Sequence, residues 1–339
     1  MHLCRPGGTI GPAMTIFLFT IGRSLSFVLA GLLSLVPVAV QADSDNLPDA
    51  TAPVIEDIPL IYVSDYFSFV GRDSQGYVAL ALDNNRGRDG ETYQAEHFVV
   101  LHDEREGWVK LDGNGAYENK RHELARIPDS ASFQFEGTPE AGLTITSAVN
   151  QLTLRIDPLP IRTSRTHEQA IVRMGSAPAV LTWRNRTIVG RVIYEYLTMP
   201  NFNRLTRTYW GFWKDFQGLS VLAEPSGDLY LHRQQSERIA ALVGTLAGFA
   251  VLDGEPAVMG QLQVEVLERA FAWGFYRWPT AWRVSWTGRH GAASMTLTLS
   301  DRKTIAGWVI GGFAMGIVRG ELSYGGRTFP LYGLAELLM

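Results

Sequence analysis

The sequence predicts an all-β protein built as two consecutive antiparallel domains. Three observations carry that expectation: hydrophobic period two dominates from Ile58 onward, turn residues recur every 8–12 positions or so, and a short motif repeats 141 residues apart. At 339 residues, 46% hydrophobic and 19% charged, the chain has globular composition and the length of two domains. Lys and Arg number 30 against 34 Asp and Glu, with no basic tract, which excludes an electrostatic grip on nucleic acid.

The N-terminus reads as a leader. Residues 15–40 are mostly apolar and end at Val40-Gln41-Ala42, small residues at the positions a signal peptidase requires. The expectation is a Sec-type signal over residues 1–42, a linker over 43–51, and a periplasmic or secreted protein. Retention as an anchor is the alternative, disfavoured by Pro37 and the cleavage pattern. Removing the leader takes Arg5, Arg23 and Cys4, and leaves 28 basic and 34 acidic residues, net −6, with no thiol. Disulfide scaffolding and cysteine catalysis are excluded for that form.

The elements follow in order. Gly76–Asp83 and Tyr93–Leu101 alternate as strands, and Asn84-Asn-Arg-Gly-Arg-Asp-Gly90 between them predicts a solvated hairpin loop. Further strands are expected over 132–135, 143–156, 179–183, 187–197, 219–223, 228–232, 261–267, 282–286, 294–299 and 317–322. Residues 236–250 are the one helix candidate, weakened by Gly244 and Gly248. Trp183-Arg-Asn-Arg-Thr187, followed by Gly190 and Glu195, recurs as Tyr324-Gly-Gly-Arg-Thr328, followed by Gly333 and Glu336. Each copy predicts a hairpin turn and a closing strand that carries a carboxylate, placing two β domains at 52–196 and 197–339.

Familiar catalytic templates fail. His122-Glu123 and His167-Glu168 begin zinc motifs but lack the second histidine, and no nucleophile elbow, P-loop or dinucleotide fingerprint occurs. No cofactor is called for. Aromatic residues instead crowd the second half, where seven of nine tryptophans lie beyond residue 200. Trp282, Val284 and Trp286 share one face at period two, which fits a barrel core; a few rings lining an apolar cavity is the alternative. Trp210, Trp213, Tyr230, His232, Tyr276, Trp282 and Trp286 are the candidate ligand-binding residues. Tyr194, Glu195 and Asp215 are the candidate catalytic groups, because an acid held among aromatics has its pKa raised and can donate a proton. Ion pairing of Glu195 with Arg191, and of Asp215 with Lys214 or Arg233, is the structural alternative.

Several of these segments together resemble one family. Trp213-Lys-Asp215 before a strand, Ser226-Gly-Asp-Leu-Tyr-Leu-His-Arg233, Tyr276-Arg-Trp-Pro-Thr-Ala-Trp282 and Gly333-Leu-Ala-Glu336 resemble the lipocalin-like superfamily of carotenoid 1,2-hydratases and their secreted relatives. The resemblance implies two lipocalin-like barrels with a hydrophobic site near their junction. It also implies an acid at Glu195, in Gly190-Arg-Val-Ile-Tyr-Glu195-Tyr196, where the family's histidine is replaced by Tyr196. The expected function is binding of a hydrophobic small molecule such as a lipid, isoprenoid or polyene, with peripheral membrane association a further expectation. The alternative is an acid-catalysed hydratase, lyase or cyclase acting on a polyene double bond.

Overall fold

The computed structural model describes residues 55–203, 205, 216–257, 259–273, 276–308 and 311–338. Its first sheet contains β1 (Leu60–Asp73), β2 (Gly76–Asp89), β3 (Thr92–Asp103), β4 (Gly107–Val109), β5 (Gly115–Glu118), β6 (Gln134–Thr138), β7 (Gly142–Ser147), β8 (Leu152–Ile156), β9 (Ile161–His167), β10 (Ala170–Trp183) and β11 (Arg186–Pro200). The second contains β12 (Phe216–Ala223), β13 (Gly227–Arg233), β14 (Leu246–Leu252), β15 (Glu255–Ala257), β16 (Gly260–Trp273), β17 (Tyr276–Gly288), β18 (Gly291–Trp308), β19 (Gly311–Tyr324) and β20 (Arg327–Leu338), with α1 (Glu237–Val243) between β13 and β14.

Both sheets are curled, antiparallel and ordered alike. The first runs β4-β3-β2-β1-β11-β10-β8-β7-β6 and the second β15-β14-β13-β12-β20-β19-β18-β17-β16. In each, the first long strand pairs with the last, the seam that curls a meander into a barrel. The seams depend on close backbone approach. A Cβ on Gly190 would stand 2.2 Å from the Val70 carbonyl oxygen, and one on Gly333 would stand 2.2 Å from that of Ser220.

The sequence echo is the same hairpin in both sheets. Trp183 pairs with Arg186 across a two-residue turn, and Tyr324 with Arg327; Gly325 and Gly326 both take positive φ, as a type I′ turn requires. The arginine also serves a common end. Arg186 binds Asp103 at the end of β3 and forks onto Asp73 at 2.8 and 2.9 Å, while Arg327 binds Asp253 just beyond β14, the matching strand.

Alternation divides each sheet between two faces. In the first barrel Phe67, Phe69, Leu80, Leu82, Leu154, Leu181, Trp183 and Tyr194 fill the interior; in the second, Trp278, Trp282, Val284, Trp286, Met295 and Leu297 do so. Residues on the outer faces of β1, β2, β12, β19 and β20, including Val70, Ala79, Ala81, Leu222, Met315, Tyr332 and Leu334, form a further buried cluster that joins the barrels. Polar ties brace the junction: Tyr332 donates to Nδ1 of His102 at 3.1 Å while Nε2 of His102 donates to Asp301 at 3.2 Å, and Arg319 meets Glu104 at 2.8 Å.

Two local expectations change. The segment 84–89, expected as a solvated loop, is strand: Asn84 and Asn85 are fully buried, and only Gly90 and Glu91 turn the chain. Arg86 turns into the first barrel, where it binds Asp65 at 2.6 Å and also donates to the Leu124 carbonyl, while Asn85 turns outward and donates to Asp83 at 2.8 Å. The helix expected over 236–250 covers only Glu237–Val243. Gly244, at φ +90°, ends it, and Gly248 lies in β14, where any Cβ would stand 2.3 Å from the Tyr230 carbonyl oxygen.

Candidate functional site

The junction gathers the titratable groups that the barrel interiors leave out. On the first sheet Asp83 of β2, Tyr66 of β1 and Glu195 of β11 lie side by side in register, all on the outward face. Neighbouring strand pairs place opposed residues on one face, so three separate strands deliver one row. From the second sheet β13 contributes Tyr230, whose hydroxyl donates to Glu195 Oε2 at 2.9 Å. Glu336 of β20 also bears on Tyr66 and Tyr230, raising the pKa of both phenols.

Glu195 is held near its protonation midpoint. Burial raises its pKa to about 7; the Tyr230 hydrogen bond opposes that rise, and the carboxylate of Asp83 adds to it. Among the described residues Glu195 makes no ion pair. Arg191, its expected partner, binds Asp228 instead, and Asp83 is held by Ser64 and Asn85, each at 2.8 Å. Tyr66 and Tyr230 both have pKa values pushed well up by burial, so they remain neutral hydroxyl donors. A neutral acid flanked by neutral phenols, with Ile193, Met174 and Tyr62 of the apolar junction nearby, can donate a hydrogen bond or a proton to an uncharged molecule.

Tyr194 does not join this group. It follows the alternation of β11 into the first barrel, stacks on Phe67 with ring centroids 5.1 Å apart, and donates to Asp65 at 2.5 Å. The phenol supporting Glu195 comes from the other barrel, as Tyr230. His232 is buried beside Phe216, its Nε2 donating to the Val243 carbonyl oxygen at 2.8 Å; burial lowers its pKa to about 4, so it is a neutral imidazole. Trp282, fully buried, donates to Gln217 at 3.0 Å, and Trp286 packs in the same core. These two indoles fill the second barrel rather than line an open cavity. Tyr276 begins β17, with its side chain outside the description; Trp210, Trp213 and Asp215 lie outside the described residues.

Sequence reasoning missed Asp83, Tyr66 and Glu336 as a group. Glu336 carried a signal, since it stands 141 residues beyond Glu195 in the echo; Asp83 and Tyr66 carried none, because their nearness to Glu195 is a matter of strand pairing. Two recesses adjoin these features. One, between the sheets and lined by Ser68, Arg191, Leu222 and Asp228 among others, encloses no space for a water molecule; the other, beside Gln217, His232 and Trp282, encloses about 10 Å³. Neither holds more than about one water molecule, far below the ~300 Å³ at which ligand pockets begin. Among the described residues no group of three or more His, Cys, Asp or Glu could hold a metal.

The fold class is all-β, two curled antiparallel half-barrel sheets in tandem. A crystal structure provisionally assigned as AttH, from Nitrosomonas europaea, is similar with a TM-score of 0.55 at 11% identity, over 88% of this chain and 98% of that one. Kievitone hydratase from Nectria haematococca aligns with a TM-score of 0.44 at 9% identity, over 87% and 96% of the two chains. At such identity the AttH likeness concerns the fold alone. No family model and no curated protein sequence matches the chain.

Proposed function

We propose that this protein is exported and binds a hydrophobic small molecule, such as a lipid, isoprenoid or polyene, at the junction of its two barrels, with Glu195 as the polar contact. The carrying observation is Glu195 itself: a carboxyl at the junction whose pKa burial raises to about 7, which accepts a hydrogen bond from Tyr230 and, among the described residues, pairs with no cation. A group kept only for stability would more often be paired with an arginine, as Asp65 and Asp228 are. The packed interiors of both barrels support the junction, rather than a barrel interior, as the place of binding.

A second reading, acid catalysis, is favoured by the Tyr230 hydrogen bond. Glu195 would pass its proton to a carbon–carbon double bond, the resulting cation would be quenched by water or by loss of a neighbouring proton, and Tyr230 would stabilise the carboxylate left behind. The test is native mass spectrometry and solvent extraction of protein purified from its own cell envelope, as wild type and Glu195→Gln. A co-purified apolar molecule that is depleted in the variant supports binding. Its conversion by wild type alone, with a gain of one water or an isomeric product, supports catalysis. Failure to retain an apolar molecule, or equal retention by both proteins, overturns the assignment of Glu195.

A further inference from the structure

The C-terminal half of β16 differs in character from the rest of its edge. β16 ends the order of the second sheet, and its exposed positions Gln261, Gln263 and Glu265 are polar, the composition that discourages pairing with another strand. Beyond them the strand shifts register at Val266 and at Glu268, and the outward side turns apolar and basic. Leu267 is 39% exposed and Phe271 65%. They are two of the four exposed large hydrophobic side chains among the described residues, and they lie within one stretch of five residues.

Arginines surround them. Arg277 pairs with Phe271 across the ladder and lies 4.6 Å from its ring centroid, and Arg269 donates to the Arg277 carbonyl oxygen at 3.3 Å. Arg302 of β18 lies 5.6 Å from the ring of Trp278, one residue further along β17. The nearby acids are exposed Glu268 and Asp301, the latter engaged by His102. This end is therefore basic in a chain whose net charge is −4. An exposed phenylalanine and an exposed leucine interleaved with arginine on an edge strand match the interfacial layer of a bilayer, where apolar side chains sit among the acyl chains and guanidinium groups meet phosphate.

We propose that this half of the strand docks the protein on an anionic phospholipid surface. Phe271 and Leu267 enter the interface while Arg269, Arg277 and Arg302 meet lipid phosphates. The surface is separate from Glu195 and stands or falls without it. A second copy of the chain is the competing occupant; the polar run along the β16 edge argues against it.

The test is co-sedimentation of the purified protein with vesicles of phosphatidylcholine alone and of phosphatidylcholine with phosphatidylglycerol, at low and high salt. The proteins compared are wild type, Phe271→Ser, the double variant Arg269→Ala/Arg277→Ala, and Val189→Ser, which alters an equally exposed valine on the first sheet. All share one N-terminus, so any contribution of the leader cancels. Wild type should bind the anionic vesicles and weaken with salt. Phe271→Ser should lower the partition coefficient about tenfold, and the arginine variant should lose most of the anionic preference. Val189→Ser should match wild type, and near-ultraviolet circular dichroism should be unchanged in all. Binding of Phe271→Ser at the wild-type level, an equal loss in Val189→Ser, or absence of vesicle binding by wild type would each overturn the proposal. So would a concentration-dependent dimer that Phe271→Ser abolishes without any effect on vesicle binding.

Discussion

Glu195 and Glu336 occupy matching positions on the two closing strands, 141 residues apart, and both raise the pKa of Tyr66. The match extends to their neighbours across the ladder, Met174 opposite Glu195 and Met315 opposite Glu336, also 141 apart. Each barrel thus turns one carboxylate outward from its seam, and packing the two outer faces together brings both to one tyrosine. Burial, with the Asp83 carboxylate adding to it, resists ionisation, which is why the pKa of Glu195 is raised to about 7.

Glu195 should make stability depend on pH in a defined direction. Its folded pKa of about 7 lies above the ordinary 4.5, so the folded state holds a proton that the unfolded chain has released. The stabilisation is complete below pH 4.5 and is lost as pH rises through 7, by at most about 3 kcal/mol. Urea denaturation of wild type and Glu195→Gln across pH 4.5–8 should show the difference between them shifting against wild type as pH rises. A constant difference would refute the raised pKa.

Tyr230→Phe removes the hydroxyl that stabilises the ionised form of Glu195, so the Glu195 pKa should move above 7. Carboxyl carbon chemical shifts in a glutamate-labelled sample follow the midpoint directly. The same variant should cost about 1 kcal/mol, the ordinary worth of a hydrogen bond to a buried acceptor.

Two of the buried histidines, His97 and His232, should resist protonation. Burial lowers each to about 4, so the stability they contribute is present above pH 6.5 and lost as pH falls through 4. Imidazole shifts in a pH titration should stay at neutral values down to about pH 5. A midpoint near 6.5 for His232 would contradict its burial beside Phe216.

Breaking the interior ion pair of the first barrel should be costly. Asp65→Ala leaves Arg86 buried with its charge uncompensated, and a loss of about 3–5 kcal/mol is expected. A loss below ~1 kcal/mol, measured by chemical denaturation, would mean that water reaches the pair.

Trp282→Ala empties the middle of the second barrel. It should cost about 3–5 kcal/mol and create a cavity that takes up a small apolar molecule which wild type excludes. Uptake of the same probe by wild type to the same extent would show that the barrel is not filled.

The sequence alone determined what depends on local repetition. Period-two alternation along Trp282, Val284 and Trp286 is a covalent consequence of the strand, and it correctly placed those rings in a core. The repeated hairpin likewise announced equivalent closing strands in two β sheets, and polarity along residues 1–42 supplied the expectation of a leader. What tertiary structure decided were relations between strands. Alternation shows that Tyr194 and Glu195 face opposite ways, yet strand pairing supplies Asp83, and only the packing of sheet on sheet gives Glu195 its Tyr230, brings Glu336 to the same phenols and hands Arg191 to Asp228. The polar run at 84–89 reads as a solvated loop because polarity usually means water; here its Arg86 meets Asp65 inside the first barrel, and that partner is fixed by register between strands, which no single stretch of sequence records.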